Sequence, residues 1–293
     1  MALSNYAQLQ EKVSGISNLP TLPQIASRLV TTINDPTTSA NDVAFLVSQD
    51  MSLSAKVLRL ANSAFYGIPR SITSIQQAVV ILGMKVINTM VLSLTVFDMF
   101  PQDKGSRLFN REAFWRHCLG CALISRILAD TMKSFVIFDS EEAFGAGLLH
   151  DIGKVVMEQY FHEDFHKALT LAQEKNISFF DAEKEALGFT HVDIAGWLTE
   201  DWNLPQELLL PLIHHHAPAE SQEYSDIVAL CHYADWLCYQ TGIVIDSSYA
   251  APKLDEQSVA KLNIDQKVIE KIKGSIDQEL KKMTVFFDLV SGK

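Results

Sequence analysis

Ala143-Phe-Gly-Ala-Gly-Leu-Leu-His-Asp-Ile-Gly-Lys154 sets His150 and Asp151 side by side behind a run of small and apolar residues. A polar side chain in such a setting costs free energy unless it is paired or binds a cation. A neutral imidazole beside a carboxylate is a ready pair of ligands for a divalent ion. The carboxylate has two oxygens and can bridge two ions. By itself a His-Asp pair decides little. Its weight comes from the rest of the chain, which places further histidines and aspartates in apolar helical contexts.

Working outward, helical periodicity continues on both sides. Upstream, Glu112 to about Ala129 reads as a helix carrying His117 among Phe114, Cys121, Ile124 and Leu128. Before it, Pro101 to Arg107 is polar and breaker-rich, which marks a subdomain boundary. The first hundred residues read as successive helices. Pro20 and Pro23 stand at the start of one that runs through Ile33. Ser39-Ala-Asn-Asp42 and Ser74-Ile-Gln-Gln77 carry cap patterns, and Gly83 ends the helix after Ser74. Ser52 to Ala64 sets Leu53, Val57, Leu60 and Ala64 on one stripe. Met84 to Phe97 is strongly apolar and central to a core. Downstream, Ser178-Phe-Phe-Asp181 and Thr190-His-Val-Asp193 are cap patterns, so His191 falls in the first turn of a helix. Leu208 to Ile213 leads into His214, His215 and His216. Asp226 to Tyr239 is a further apolar helix with His232 and Asp235, and the tail from Leu254 gives two amphipathic helices. No strand-period alternation, internal repeat or Gly-rich phosphate loop interrupts this pattern. The expected fold is all-α: an N-terminal helical subdomain (1–104) followed by a helical bundle (105–293).

Composition narrows the function class. The chain has 293 residues, 48% hydrophobic and 20% charged, the make-up of a globular domain. Its 24 basic and 35 acidic residues leave a net charge of -11, which argues against non-specific nucleic-acid binding and against an anionic membrane surface. A small phosphorylated ligand in a local pocket remains compatible. Cys118, Cys121, Cys231 and Cys238 all lie in apolar helical patterns, so they read as reduced core thiols in a reducing, cytoplasmic setting. The first residues carry no secretory pattern. The longest apolar stretch, Ala78 to Phe97, is broken by Gly83, Lys85 and Asn88, and reads as two core helices instead of a membrane span.

Each polar residue in an apolar place admits a bland reading and a sharper one. A lone histidine such as His117 is often a hydrogen-bonded core residue. Asp235 stands among Val228, Cys231 and Cys238 on one stripe, and a buried carboxylate there needs a metal, a charged histidine or a hydrogen bond to a loop. Three adjacent histidines point different ways, and one of them belongs to a solvated loop. His162 and His166 stand four apart, a spacing that can hold zinc, but Glu163, Asp164 and Lys167 mark a solvated face. His232 sits where it can support a site without joining it. Taken jointly, histidines and aspartates on four helical segments favour a metal centre.

Ser52-Leu-Ser-Ala-Lys-Val-Leu-Arg-Leu-Ala-Asn-Ser-Ala-Phe-Tyr-Gly67 resembles the signature of the HDOD family, the HD-related output domain of bacterial signalling proteins. Leu19-Pro-Thr-Leu-Pro23, Ala78 to Gly83 and Gly147 to Lys154 fit the same pattern, and the resemblance spans about residues 15 to 240. It implies an all-helical output or regulatory module. Its second half is similar to the HD metal-dependent phosphohydrolases, including the HD-GYP phosphodiesterases. By resemblance His117 matches the first histidine of that pattern, and His150 with Asp151 match the defining pair. His191 matches the histidine of the next helix, His215 and His216 the His-His pair, and Asp235 the closing aspartate. The resemblance implies one or two divalent ions there, iron, manganese, zinc or nickel, with magnesium held weakly. It also casts Lys154 and Asp151 as catalytic, Lys154 matching the lysine of His-Asp-x-Gly-Lys that can face a phosphate. Two positions depart from the HD-GYP pattern: Ala217-Pro-Ala-Glu follows His216 without Gly-Tyr-Pro, and Ala113 stands where some three-metal relatives carry Glu. Three readings stay open at this point. They are a metal-holding signalling module with a protein partner or a small phosphorylated ligand or nucleotide, a working phosphohydrolase, and a metal-free scaffold.

Overall fold

Short polar residues ahead of apolar runs decide where the helices begin. The computed structural model describes residues 21–33, 35–100, 109–132, 138–200 and 202–290, and among these no strand occurs. The first half holds α1 (Gln24–Ile33), α2 (Ala40–Ser48), α3 (Met51–Ala61), α4 (Ile75–Leu82) and α5 (Met84–Met99). Ser39 accepts from the Asp42 amide while the Asp42 carboxylate accepts from the Ser39 amide, the reciprocal cap that the sequence pattern promises. Ser74 caps α4, and Gly83 ends it at a φ of 93°, where an L side chain is strained. The third helix differs from expectation. It runs from Met51 to Ala61 instead of Ser52 to Ala64, because Asp50 accepts the Leu53 amide and so takes the cap. At its far end Asn62 donates to the carbonyls of Leu58 and Ile72 and accepts from the Ile72 amide, each at 2.8 Å. That one side chain fastens the loop that follows α3.

The second half contains α6 (Arg111–Met132), α7 (Ser140–Leu149), α8 (Ile152–Tyr160), α9 (His162–Lys175), α10 (Phe179–Ala186), α11 (His191–Glu200), α12 (Gln206–His214) and α13 (Ser225–Gln240). It closes with α14 (Glu256–Ala260), α15 (Gln266–Lys282) and α16 (Thr284–Val290). The tail thus has three helices where its periodicity suggested two. Asp255 and Asp265 each cap a separate helix, and Met283 leaves helical geometry (φ −86°, ψ 15°), which splits the last run.

The long, mostly buried α6 is the axis of this half, with α7, α13 and α15 against it. Helix α11 lies on α8 and α12, and α12 lies on α7 and α13. The two halves also meet. Helix α5 packs on α7, and α16 returns to α3 and α5. Phe286 of α16 has its ring centroid 5.7 Å from Phe65, 6.5 Å from Phe97 and 6.4 Å from Phe144. The boundary expected at Pro101–Arg107 and the helix start at Pro20 lie outside the described residues. Among the described residues no helix is long and apolar enough to cross a membrane.

Candidate metal centre

The junction between α7 and α8 puts the His-Asp pair in the interior. An Asp139–Glu142 capping box starts α7, His150 ends it, and Asp151 begins α8. Both flanking helices need glycine to come close enough. A Cβ on Gly147 would lie 2.7 Å from the Cys121 carbonyl oxygen of α6. A Cβ on Gly153 would lie 1.9 Å from the His191 carbonyl oxygen of α11. The two glycines therefore let α6 and α11 come close to the helices that carry the pair.

Two donor groups result. His117, Cys121, His150 and Asp235 each bring one ligand atom into a set whose members all lie within 4.8 Å of one another, and Asp151, His191, His215 and His216 form a second such set. Asp151 stands between them. Its Oδ2 is 3.4 Å from His150 Nε2 and 3.7 Å from His117 Nε2, while Oδ1 is 3.3 Å from His191 Nε2 and 3.5 Å from His215 Nε2. One carboxylate thus turns an oxygen toward each group. His117, His150, Asp151, His191 and His215 are fully buried and Asp235 is 1% exposed, whereas His216 is half-buried.

The ring orientations suit a cation. His117 Nδ1 is 2.9 Å from the Ile243 carbonyl oxygen, His150 Nδ1 2.8 Å from that of Gly147, and His215 Nδ1 3.0 Å from that of Pro211. A carbonyl can only accept, so each Nδ1 carries a proton and each Nε2 can turn a lone pair inward. His191 Nδ1 lies 2.6 Å from Glu183 Oε2, and the His191 amide donates to Glu183 Oε1 at 3.2 Å. Asp151 Oδ1, Asp235 Oδ1 and His215 Nε2 are buried without any hydrogen-bond donor. Inward lone pairs, buried carboxylates and these three orphaned acceptors fit one or two divalent ions.

The charge balance points the same way. Burial alone would raise the Asp151 carboxyl, but His150 and Lys154 beside it hold it well below the usual range. Burial likewise opposes ionisation of Asp235, and His117 overcomes it, bringing that carboxyl down to about 2. Burial depresses His215 to about 4 and His216 well below its ordinary value, aided in both by neighbouring imidazoles. His150 is drawn the other way, to about 10, because Asp151 and Cys121 outweigh its burial. The first group demands positive charge at Nε2, and a proton or a metal ion can supply it.

Around this centre Lys154 is 4% exposed and donates from Nζ to Asp151 Oδ2 at 2.6 Å. It also borders a cavity of about 360 Å³ whose walls include Phe109, Phe165, Phe179 and Tyr249. His216 stacks on Phe180 at 4.2 Å, and its Nε2 is 3.2 Å from His191 Nε2. His162 and His166 are exposed on α9. His232 is a satisfied core histidine: its Nδ1 meets the His215 carbonyl at 2.6 Å and its Nε2 accepts the Asp255 amide at 2.8 Å. Two residues of the site escape a reading by sequence. Glu183 sits in a Glu-Lys-Glu run that looks solvated, yet it is fully buried against His191. Cys121 reads as a core thiol, but its place one turn after His117 was the available clue.

Comparison with known proteins gives a family and a fold. The HDOD domain model matches residues 19–218. An uncharacterized protein of Treponema pallidum (strain Nichols) is 25% identical over 222 residues, which cover 75% of this chain and 42% of that protein. The chain therefore spans under half the length of this curated relative. The crystal structure of an HDOD domain protein with unknown function from Geobacter sulfurreducens superposes with a TM-score of 0.82 at 25% identity, covering 97% of this chain and 99% of that one. That of a candidate phosphohydrolase from Shewanella amazonensis SB2B superposes with a TM-score of 0.69 at 25% identity, covering 98% and 97%.

Proposed function

The chain belongs to the HDOD domain family, and on that premise we propose that it is a signalling module built around a buried divalent-metal centre of one or two ions. The observation that carries this reading is Asp151, whose two oxygens face two separate groups of buried nitrogen, oxygen and sulfur donors. His117, His150 and Asp235 hold the first position, and His191, His215 and His216 the second. Iron, manganese, zinc and nickel suit such donors, and magnesium would bind more weakly. The fold acts on a signalling protein or a small phosphorylated ligand. Because the donors other than His216 are almost entirely out of solvent, the centre is better built to hold ions than to turn over substrate.

A second reading, a metal-dependent phosphohydrolase, is favoured by Lys154, which reaches both Asp151 and the aromatic-walled cavity. Bound ions would supply Lewis acidity toward a phosphoryl group. Lys154 would hold the phosphoryl oxygens by charge-assisted hydrogen bonds, and Asp151 would keep that ammonium in place.

Metal analysis of protein purified without chelator or nickel resin tests the first reading. The expected result is near-stoichiometric transition metal, lost in Asp151→Ala and His150→Ala and kept in His162→Ala. Less than about a tenth of an equivalent after reconstitution would sink it. Hydrolysis of bis(p-nitrophenyl) phosphate by the loaded protein, abolished in Lys154→Met, would move the assignment to the second reading.

A further inference from the structure

Cys121 follows His117 by one helical turn on α6, so both side chains leave the same face. Its Sγ is 3.7 Å from His117 Nε2 and 4.0 Å from His150 Nε2. Asp235 Oδ1 is 3.1 Å from His117 Nε2 and 3.9 Å from His150 Nε2. An ion bound tetrahedrally at zinc-like bond lengths spaces a nitrogen and a sulfur ligand about 3.6 Å apart, and two nitrogen or oxygen ligands about 3.4 Å apart. The four distances scatter around those edges. A thiol hydrogen bond accounts for less, since one S–H proton serves one acceptor while Sγ faces two imidazole Nε2 atoms and a second sulfur. Behind it, Cys238 Sγ stands 3.5 Å from Cys121 Sγ and accepts from the Cys121 thiol; once Cys121 is a thiolate, the Cys238 S–H can donate to it instead. Cys118 and Cys231 are equally buried, yet neither belongs to the donor group.

We propose that Cys121 is a thiolate ligand of the first metal position, which makes the centre chemically asymmetric. That position, formed with His117, His150 and Asp235, takes a thiophilic ion such as Zn(II), Fe(II) or Co(II). The position formed by Asp151, His191, His215 and His216 has three imidazoles, one carboxylate and no sulfur, a set that suits Fe(II), Mn(II) or Ni(II). Coordination displaces the Cys121 thiol proton to solvent, together with any proton held at His117 Nε2 or His150 Nε2. The inference rests on reading the site as a metal centre.

Anaerobic loading of the full chain with Co(II), read by bound cobalt and by the near-ultraviolet spectrum, separates the two claims. The expected spectrum has a thiolate-to-cobalt charge-transfer band. The chain has four cysteines, so a band that survives in Cys118→Ser, Cys231→Ser and Cys238→Ala and vanishes in Cys121→Ser assigns the sulfur. In Cys238→Ala the band should move to lower energy, because the thiolate loses its S–H donor. Should Cys121→Ser fail to fold, a band retained in the triple variant C118S/C231S/C238A makes the same assignment with Cys121 untouched. Cobalt bound without such a band overturns sulfur ligation and leaves the metal centre standing. A band that persists in Cys121→Ser overturns the proposal, and a chain that binds no cobalt overturns both.

Discussion

Asp235 and His117 form the tightest contact of the first donor group, 3.1 Å between Oδ1 and Nε2, with both side chains out of solvent. Without metal this is a buried carboxylate against an imidazole whose burial lowers its proton affinity but whose neighbours Cys121 and Asp235 raise it further. Such pairs recover little net stability, because desolvation offsets their attraction. Asp235→Asn keeps the shape and lets a neutral His117 Nε2 accept from the new amide. The stripped variant should therefore melt no lower than the stripped wild type. Added metal should then separate them, since an ion at 100 times its dissociation constant stabilises the native state by about 2.7 kcal/mol, a gain the variant should largely lose. Thermal melts of both proteins with and without metal check this, and an apo variant well below apo wild type would make Asp235 a structural acceptor. Asp235, His150 and Asp151 were legible in the sequence because each is a charged or polar group on an apolar stripe. Glu183 was not, because its partner His191 is set by the turn between α10 and α11 and not by any local period.

At the scale of elements, glycines set the spacing of helices around the centre. A Cβ on Gly153 would collide with the His191 backbone, and nothing flexible can yield there. Gly153→Ala should cost about 1–3 kcal/mol or more, as overpacked cores do, and should weaken metal uptake by parting α8 from α11. Gly274 on α15 has nothing within 4 Å of the same atom. Gly274→Ala should instead stabilise by about 0.5–1 kcal/mol, the usual gain of alanine in a helix interior. Chemical denaturation of both variants tests the pair, and equal effects would mean that the missing Cβ at Gly153 is not what lets α8 and α11 come close. Helix existence followed from periodicity and caps such as Ser39 and Ser74. Ends were less legible wherever a second capping residue lay nearby, as Asp50 does at α3, or where an amphipathic run such as α15 to α16 breaks without a proline or glycine.

Across the whole molecule the donors come from α6, the α7–α8 junction, α11, the end of α12 and α13, while Phe65, Phe97, Phe144 and Phe286 join the two halves. The all-α class was readable from periodicity. The return of α16 onto α3 and α5 was not, since contacts over that separation leave no trace in local pattern. The near-complete burial of the first donor group, in contrast to the half-buried His216 of the second, has a consequence for time as well as for affinity. An ion bound there would be out of reach of a competitor in solution and would leave when helices part, on the timescale of local opening. Its residence is then a property of the protein and not of the scavenger. Removal by EDTA should proceed at a rate that levels off as chelator concentration rises, and should quicken in mild denaturant. A rate that climbs in proportion to EDTA throughout would mean that the ion meets solvent directly.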